Sequence, residues 1–178
     1  MKVLVAVASR HGATGEIAER LGETLDQQLR QRGIDATVDV RSAGQVATVE
    51  GYQAVVLGSA VYMGRWLEPA RQLGQTHAAQ LARIPVWLFS SGPVGNPPKP
   101  DADPTDVYPI MQATQAREHQ RLPGKLDKHQ LGLAERATVR LVHAAEGDFR
   151  DWAAIDQWAA SIADALARES SSRRQVPT

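Results

Sequence analysis

A short polar stretch follows the first apolar run of the chain and contains the residue types that bind anions. Residues 3–8 are all apolar, and Ser9, Gly12 and Thr14 come directly after them. Free N–H groups at a helix start, hydroxyl donors and a glycine that permits an unusual turn are suited to phosphate, and Arg10 adds a positive charge. A plain strand-to-helix turn uses the same residue types, so this stretch alone leaves both interpretations open.

Two later loops have a composition that fits the same ligand. The stretch 59–66 carries Tyr62 and Trp66 around a glycine, and the stretch 90–95 reads SSGPVG. An aromatic ring beside a phosphate loop can stack on a flat heteroaromatic ring, which we favour for Tyr62. For Trp66 we favour a role as the anchor of the next helix. The alternative for the third loop is a simple Gly-Pro turn.

Several phosphate-binding classes are excluded by spacing. The chain contains neither G-x-G-x-x-G nor G-x-x-x-x-G-K-[ST], the usual dinucleotide and ATP or GTP motifs. A phospho-receiver domain would need an acceptor Asp at the end of the central strand, and that strand ends in Gly58-Ser59. If these loops bind an anion, that anion therefore belongs to another class of ligand.

Alternating strand and helix patterns must position these loops. Apolar runs predict buried strands at 3–8, 54–60 and 85–91, alternation predicts an edge strand over 34–40, and the polar segment 117–124 is expected to be the fifth strand. A four-residue repeat predicts a helix over 17–29 closed by Gly33, and further helices are expected over 66–82 and after Asp151. The Pro-rich stretch 92–109 is predicted to be a loop. This alternation predicts an α/β fold with a parallel sheet, whose ligand lies at the carboxyl ends of the strands.

Composition limits the function further. The chain has 178 residues, 43% of them hydrophobic, with 20 Lys and Arg against 20 Asp and Glu, so we expect one domain over 1–168 and no nucleic-acid partner. The absence of Cys excludes disulfides, thiolate nucleophiles and Cys-ligated metals, and we expect no metal. No signal-peptide layout or membrane-spanning run is visible, so we expect a cytoplasmic protein. Residues 169–178 are polar, and we expect a flexible tail there.

Together the three loops resemble those of the flavodoxin-like FMN proteins. The phosphate loop of that family reads [ST]-x-T-G-x-T, and residues 9–14 read SRHGAT, with His11 in place of the middle Thr. The chain looks most like the menaquinone-dependent protoporphyrinogen dehydrogenase branch, through ASRHGATGEIAERL, GSAVYMGRWLEPA and GDFRDWAAIDQWAASIA.

The resemblance implies a flavodoxin-like, doubly wound α/β fold with five parallel strands in the order 2-1-3-4-5 and helices on both faces. It implies FMN as the cofactor, with phosphate on loop 9–14 and the ring between loops 59–66 and 90–95. The expected cofactor-binding residues are Ser9, Arg10, His11, Gly12, Ala13, Thr14, Ser59, Ala60, Val61, Tyr62, Met63, Gly64, Ser90, Ser91, Gly92 and Gly95. Since the chemistry belongs to the flavin, no catalytic side chain is expected.

The resemblance favours an FMN-dependent enzyme that oxidises protoporphyrinogen IX and passes the electrons to a quinone. Two alternatives stay open, a flavodoxin-type electron carrier and a flavin- or ligand-binding protein without redox catalysis of its own. Electron-carrier flavodoxins are typically acidic, and the neutral charge of this chain counts against the carrier. Self-association into a homo-oligomer is left open.

The branch also implies an extra segment, which we place at 124–147. Within it, Leu133, Ala137, Leu141 and Ala144 share one face of a predicted helix, and Arg136, Arg140 and His143 share another. Residues 131–145 can therefore be interpreted as a contact with the inner membrane surface near quinone, or with porphyrin propionates. We favour an ordinary short helix packed on the sheet, because its apolar face is partly Ala.

Overall fold

The computed structural model of the protein describes residues 1–92, 102–126 and 147–174. The strands are β1 (Lys2–Ala8), β2 (Thr37–Ser42), β3 (Ala54–Tyr62), β4 (Arg65–Trp66), β5 (Val86–Ser91), β6 (Glu118–Leu122), β7 (Lys125–Leu126) and β8 (Gly147–Asp148). The helices are α1 (Ala13–Gln31), α2 (Glu68–Thr76), α3 (Ala78–Leu81), α4 (Val107–Thr114) and α5 (Trp152–Arg174), with a 3₁₀ turn at Ala43–Gln45.

The main sheet has the expected parallel architecture. Its path is β2-β1-β3-β5-β6, and all four neighbouring pairs along it are parallel. Counted among the parallel strands alone, this is the order 2-1-3-4-5. The sheet differs from the expectation by the added strand β4, which pairs antiparallel with the end of β3.

Alternate residues of the central strands enter two separate cores. Val3, Val5 and Val56 pack on the side of α1 and α5, whereas Leu4 and Leu57 pack on the side of α2 and α4. Because successive strand residues point to opposite faces, a strand that is apolar throughout requires a cover on both faces. Because residues 3–8 of β1 are all buried, the sheet forms the middle layer of a three-layer domain.

Helix α1 forms as its apolar repeat predicts. The side chains of Ile17, Leu21, Leu25 and Leu29 are fully buried. Gly33 has φ +70°, and its N–H donates to the carbonyl of Arg30. The N–H of Ile34 donates to the carbonyl of Leu29. These two bonds are the Schellman motif, which confirms Gly33 as the residue that ends the helix.

The helix predicted over 66–82 is wrong at both its start and its middle. Trp66 lies in β4, because Met63 (φ 49°) and Gly64 (φ 72°) turn the chain back on β3 and pair Tyr62 with Arg65. A helix begins only at Glu68 and ends at Thr76, where His77 leaves helical geometry before the short α3. Apolar spacing alone did not reveal the hairpin, since its turn uses a non-glycine residue with positive φ.

Three other boundaries shift. Pairing of β2 with β1 begins at Thr37 rather than 34, and Ile34 packs in the core before the strand. The loop predicted to end at 109 gives way to α4 at Val107, while residues 93–101 lie outside the described part. The polar fifth strand is confirmed as the edge strand β6.

Helix α5 continues through Arg174, so residues 169–174 are helical where a flexible tail was expected. The hydroxyls of Ser171 and Ser172 donate to the carbonyls of Ala167 and Arg168, which accommodates serine within a helix. At its start, Asp151 accepts the N–H of Ala154 as the predicted cap. Most of the expected segment 124–147, including the helix over 131–145, lies outside the described residues.

Candidate functional site at the carboxyl edge of the sheet

Strand register brings the three predicted loops together. Ser59 of β3 is the register partner of Ala8 on one side and of Ser90 on the other. The loops that follow β1, β3 and β5 therefore leave the same edge of the sheet side by side. This edge contains the point where the chain order reverses, at which doubly wound sheets bind ligands.

The first loop leaves a helix N-terminus without a side-chain cap. Gly12 is the N-cap residue with φ +87°, and no side chain caps the helix there. The first backbone bond of the helix runs from the N–H of Glu16 to the carbonyl of Gly12. The N–H groups of residues 13–15 thus precede the intrahelical ladder and carry the positive end of the helix dipole.

Ser9 places a buried hydroxyl against this helix start. Its Oγ is inaccessible to solvent and has no hydrogen-bond partner among the described residues. A Cβ added at Gly15 would lie 3.9 Å from that oxygen, so the hydroxyl faces the first turn. Thr14, in the same turn, is only 4% exposed. A buried hydroxyl without a partner costs free energy, and an anion accepting its proton would remove that cost.

The first and second loops contact each other through Arg10 and Tyr62. The Arg10 guanidinium lies 4.7 Å from the centre of the Tyr62 ring, within the range of a cation–π contact. Tyr62 is partly exposed beside the exposed residues Met63 and Gly64. The tip of the hairpin is also held by the segment before α4, because the N–H of Thr105 donates to the carbonyl of Gly64 at 3.0 Å. His11 is exposed at the opening of the first loop.

Two of the predicted serines have hydroxyls that serve the protein interior. Ser59 is fully buried, accepts the N–H of Leu67 at 2.9 Å and donates to the carbonyl of Ala60 at 2.8 Å. Ser90 accepts the indole N–H of Trp66 at 2.7 Å and lies 2.8 Å from Nε2 of His119. At these positions the groups left to meet a ligand belong to the backbone.

His119 contacts the end of β5 through Ser90, and the sequence did not single it out. Its side chain is 5% exposed, and its Nδ1 lies 3.5 Å from the carboxylate of Asp103. Burial lowers the pKa of His119, against the opposing effect of Asp103, and Arg121 lowers it further. A neutral ring with its hydrogen on Nδ1 accepts the Ser90 proton at Nε2, which completes a hydrogen-bonded line from β6 to Trp66.

Asp106 also holds this hairpin, through the backbone of Trp66. Its buried carboxylate accepts the backbone N–H of Trp66 at 3.1 Å and lies 3.6 Å from the guanidinium of Arg71. Asp106 lies in a stretch that the sequence suggested was only a loop. Polarity at the boundary between a Pro-rich stretch and a helix was the one available signal, and it is not specific.

The third loop makes a close approach to the second. A Cβ added at Gly92 would lie 3.1 Å from Cβ of Val61, which is tighter than an ordinary van der Waals contact. Ser91 is buried and Gly92 is partly exposed. Gly95 lies outside the described residues. The described members of the three loops thus share one edge, as predicted.

These features define a doubly wound α/β protein with an uncapped helix start at its switch point. The model of the flavodoxin domain family matches residues 4–152, and the chain belongs to this family. No curated protein sequence matches this chain.

Solved structures agree with the assignment of the fold. A flavodoxin from the domain Archaea is 17% identical and superposes with a TM-score of 0.60, covering 93% of this chain and 99% of that one. Oxidised flavodoxin 2 from Bacillus cereus is 19% identical with a TM-score of 0.55, covering 95% and 99%. Rubredoxin oxygen:oxidoreductase from Desulfovibrio gigas is 11% identical with a TM-score of 0.61, covering 98% of this chain and 37% of that one. At these identities the likeness concerns the fold alone.

Within the described ranges, none of the helices has the length and apolar character required to cross a lipid bilayer.

Proposed function

We propose that the protein binds FMN at the carboxyl edge of its sheet and acts as an FMN-dependent oxidoreductase. The observation that carries the proposal is the buried Ser9 hydroxyl without a partner, set against an uncapped helix start. A phosphate monoester offers acceptors to that hydroxyl, to the first N–H groups of α1 and to Thr14. Gly12, with φ +87°, supplies the turn that exposes those N–H groups.

The second and third loops would hold the flavin ring. Residues 60–62 are partly exposed at the end of β3, and the ring of Tyr62 is held by Arg10. Gly92 brings the backbone of the third loop against Val61, so the two loops together form one wall. When bound, FMN supplies reversible one- and two-electron transfer, which no side chain of this site can perform.

The protein residues around the ring would position and shield it rather than transfer protons. The hydroxyls of Ser59 and Ser90 are both engaged inside the protein. The imidazole of His119 is bonded to Ser90 of this wall and faces Asp103. The side chains of Ser59, Ser90 and His119 therefore hold the hairpin and the third loop in place, and backbone groups would contact the ligand.

We further propose protoporphyrinogen IX as the substrate and a quinone as the acceptor. Support for this finer assignment comes from the three sequence motifs shared with the protoporphyrinogen dehydrogenase branch and from the neutral charge of the chain. Each two-electron oxidation of the porphyrinogen must reduce one quinone to its quinol, so the reaction balances without another oxidant.

An electron carrier is the second candidate. Two of the flavodoxins with the same fold match this chain over more than nine-tenths of both lengths. Beside the first loop, Glu16, Glu19 and Glu23 line an open groove with Arg20 and Trp152. An acidic surface next to a redox cofactor can steer a basic partner. A third alternative, a flavin-binding protein without redox catalysis, is suggested by His11 in place of a hydroxyl donor.

Flavin titration and an anaerobic assay separate these candidates. A yellow protein with one FMN per chain supports the first two, whereas failure to bind added FMN contradicts both. The protein is then incubated without oxygen with protoporphyrinogen and menadione. Porphyrin fluorescence that grows with enzyme concentration supports the dehydrogenase, and fluorescence no faster than the uncatalysed background removes that substrate.

A further inference from the structure

Arg150 lies next to the first turn of α1, where we propose that the phosphate binds, and is hydrogen-bonded to that turn. Its side chain is 5% exposed. Nε and Nη2 donate to the two carboxylate oxygens of Asp148 at 2.8 and 2.6 Å. Nη1 donates to the carboxylate of Glu16 at 2.6 Å and lies 3.5 Å from the carbonyl oxygen of Ala13. One guanidinium therefore joins the segment before α5 to the first turn of α1.

The guanidinium is held in a fixed plane. Its centre lies 4.5 Å from the centre of the Trp152 ring, and the two hydrogen bonds to Asp148 form a bidentate pair. The hydrogen bond from Arg150 lowers the pKa of Asp148. A planar, bidentate arrangement of this kind fixes direction as well as distance, which lysine does not reproduce.

The charges of the cluster show what Arg150 does for an anion site. One guanidinium pairs with two carboxylates, so the positive charge of Arg150 is already balanced by protein groups and is not available to a ligand. Glu16, however, lies in the first turn of α1, beside the N–H groups that would face the phosphate. A free carboxylate there would repel a phosphate dianion, and pairing with Arg150 reduces that repulsion.

The same segment reaches the third loop. Asp148 pairs with Lys125 across β7 and β8, and the N–H of Phe149 donates to the carbonyl of Gly124 at 3.1 Å. A Cβ added at Gly124 would lie 3.3 Å from the Cα of Gly92. The segment 147–150 thus contacts, directly or through Gly124, both the first and the third loop.

We propose that Arg150 is a positioning residue for phosphate binding: paired with Asp148, it holds the Ala13 carbonyl and the Glu16 carboxylate so that the first turn of α1 accepts a phosphate. The proposal rests on the proposed FMN site. A purely structural role would affect any flavin equally, whereas a positioning role for the phosphate turn acts on FMN and spares riboflavin, which has no phosphate.

The test compares the dissociation constants of FMN and riboflavin by quenching of flavin fluorescence in the full chain. Arg150→Met keeps the aliphatic stem over Trp152 and removes the guanidinium. We expect FMN affinity to fall by roughly 10- to 100-fold, the scale of losing hydrogen bonds to charged groups, with riboflavin affinity nearly unchanged. Arg20→Met is the matched control, because Arg20 joins α1 to α5 through Asp156 but touches none of the three loops in a described contact.

A double variant tests the part played by Glu16. The double variant Arg150→Met with Glu16→Gln lacks the Glu16 carboxylate that Arg150→Met leaves unpaired by Arg150. We expect the double variant to bind FMN more tightly than Arg150→Met alone and less tightly than the wild type. If Arg150→Met does not fold, Arg150→Lys replaces it, with a smaller loss and the same selectivity for FMN. An unchanged ratio of FMN to riboflavin affinity in a folded Arg150 variant overturns the proposal.

Hydrogen exchange separates this proposal from the proposed function. If the wild-type chain binds no FMN, the proposed function fails. In the apo protein, exchange of the Glu16 amide, whose N–H donates to the carbonyl of Gly12, should still accelerate in Arg150→Met and not in Arg20→Met. Equal exchange in both variants shows that Arg150 does not hold the turn, whether or not FMN binds.

Discussion

The indole N–H of Trp66 donates to Oγ of Ser90 at 2.7 Å, and neither residue is more than 2% exposed. This bond joins the hairpin after β3 to the end of β5, where two of the three site loops begin. His119 continues the line on the other side of Ser90, at 2.8 Å. Trp66 is thus a buried anchor of the hairpin, whereas the sequence favoured it as the anchor of the next helix.

Replacing this donor should destabilise the fold. Trp66→Phe removes the indole N–H, leaves Ser90 with one partner fewer and leaves unfilled volume in the core. We expect the free energy of unfolding in urea to fall by about 2–4 kcal/mol, from the lost hydrogen bond and the smaller side chain.

The matched control is Trp152→Phe, since Trp152 is 38% exposed and makes no described hydrogen bond through its indole. That change should lower the free energy of unfolding by less than about 1 kcal/mol. Equal losses in the two variants would contradict an anchoring role for the Trp66 hydrogen bond.

His119 should make stability depend on pH in a defined window. Burial lowers its pKa in the folded protein below the ordinary value of 6.5. As pH falls through 6.5, the unfolded chain takes up a proton that the folded protein does not, so stability decreases, by at most about 1.4 kcal/mol per pH unit. Above that pH both states are neutral, and the contribution is absent.

Urea unfolding between about pH 5 and pH 8 measures this dependence. His119→Gln should remove it, and Asp103→Asn should enlarge it, because Asp103 raises the His119 pKa toward its ordinary value. The carboxyls of Asp39, Asp148, Asp156 and Asp164 have lowered pKa values, so their stabilisation is lost only as pH falls below 3.8. Superimposable pH profiles of the wild type and His119→Gln would show that the ring is not held neutral by burial.

Gly58 tests the packing of the strand that carries the site. A Cβ at this position would lie 2.0 Å from Cε1 of Phe89. Phe89 cannot easily move, because it is fully buried and packs edge-on against Trp158 with ring centres 6.1 Å apart. We expect Gly58→Ala to lower the free energy of unfolding by about 1–3 kcal/mol or more, the cost of overpacking a core.

Gly44→Ala is its control. A Cβ there meets Pro69 at an ordinary 3.6 Å, and the residue is exposed. Its effect on the free energy of unfolding should stay within about 0.5 kcal/mol. If Gly58→Ala is equally mild, the contact between β3 and Phe89 is looser than described.

The elements predicted well from sequence are those whose pattern follows directly from burial. A strand covered on both faces must be apolar along its buried length, as β1 is over residues 3–8. A helix with one buried face must repeat its apolar residues every three or four positions, as α1 does. The edge strand β6 is polar and still forms. Its backbone pairs with β5, and Arg117 at its start lies over the ring of Trp87.

The features that were missed depend on contacts distant in sequence. The hairpin requires Met63 at φ 49°, a conformation with no sequence signature in a non-glycine residue. Asp106 meets Trp66 across 40 positions, and Arg150 meets Glu16 across 134. Arg150 belongs to a motif that was recognised by resemblance, yet only the structure shows which groups it binds.

The most direct test of the proposed phosphate site is FMN binding by Ser9→Ala beside the wild type. The wild type should bind one FMN per chain. Ser9→Ala should weaken that binding about tenfold while leaving the free energy of unfolding of the apo protein unchanged or up to about 1 kcal/mol higher, because it deletes a buried hydroxyl without a partner. Thr14→Ala should weaken FMN binding by about 1–3 kcal/mol in the same measurement. A wild type that binds no FMN, or a Ser9→Ala variant that binds it as tightly as the wild type, would contradict a phosphate site at this turn.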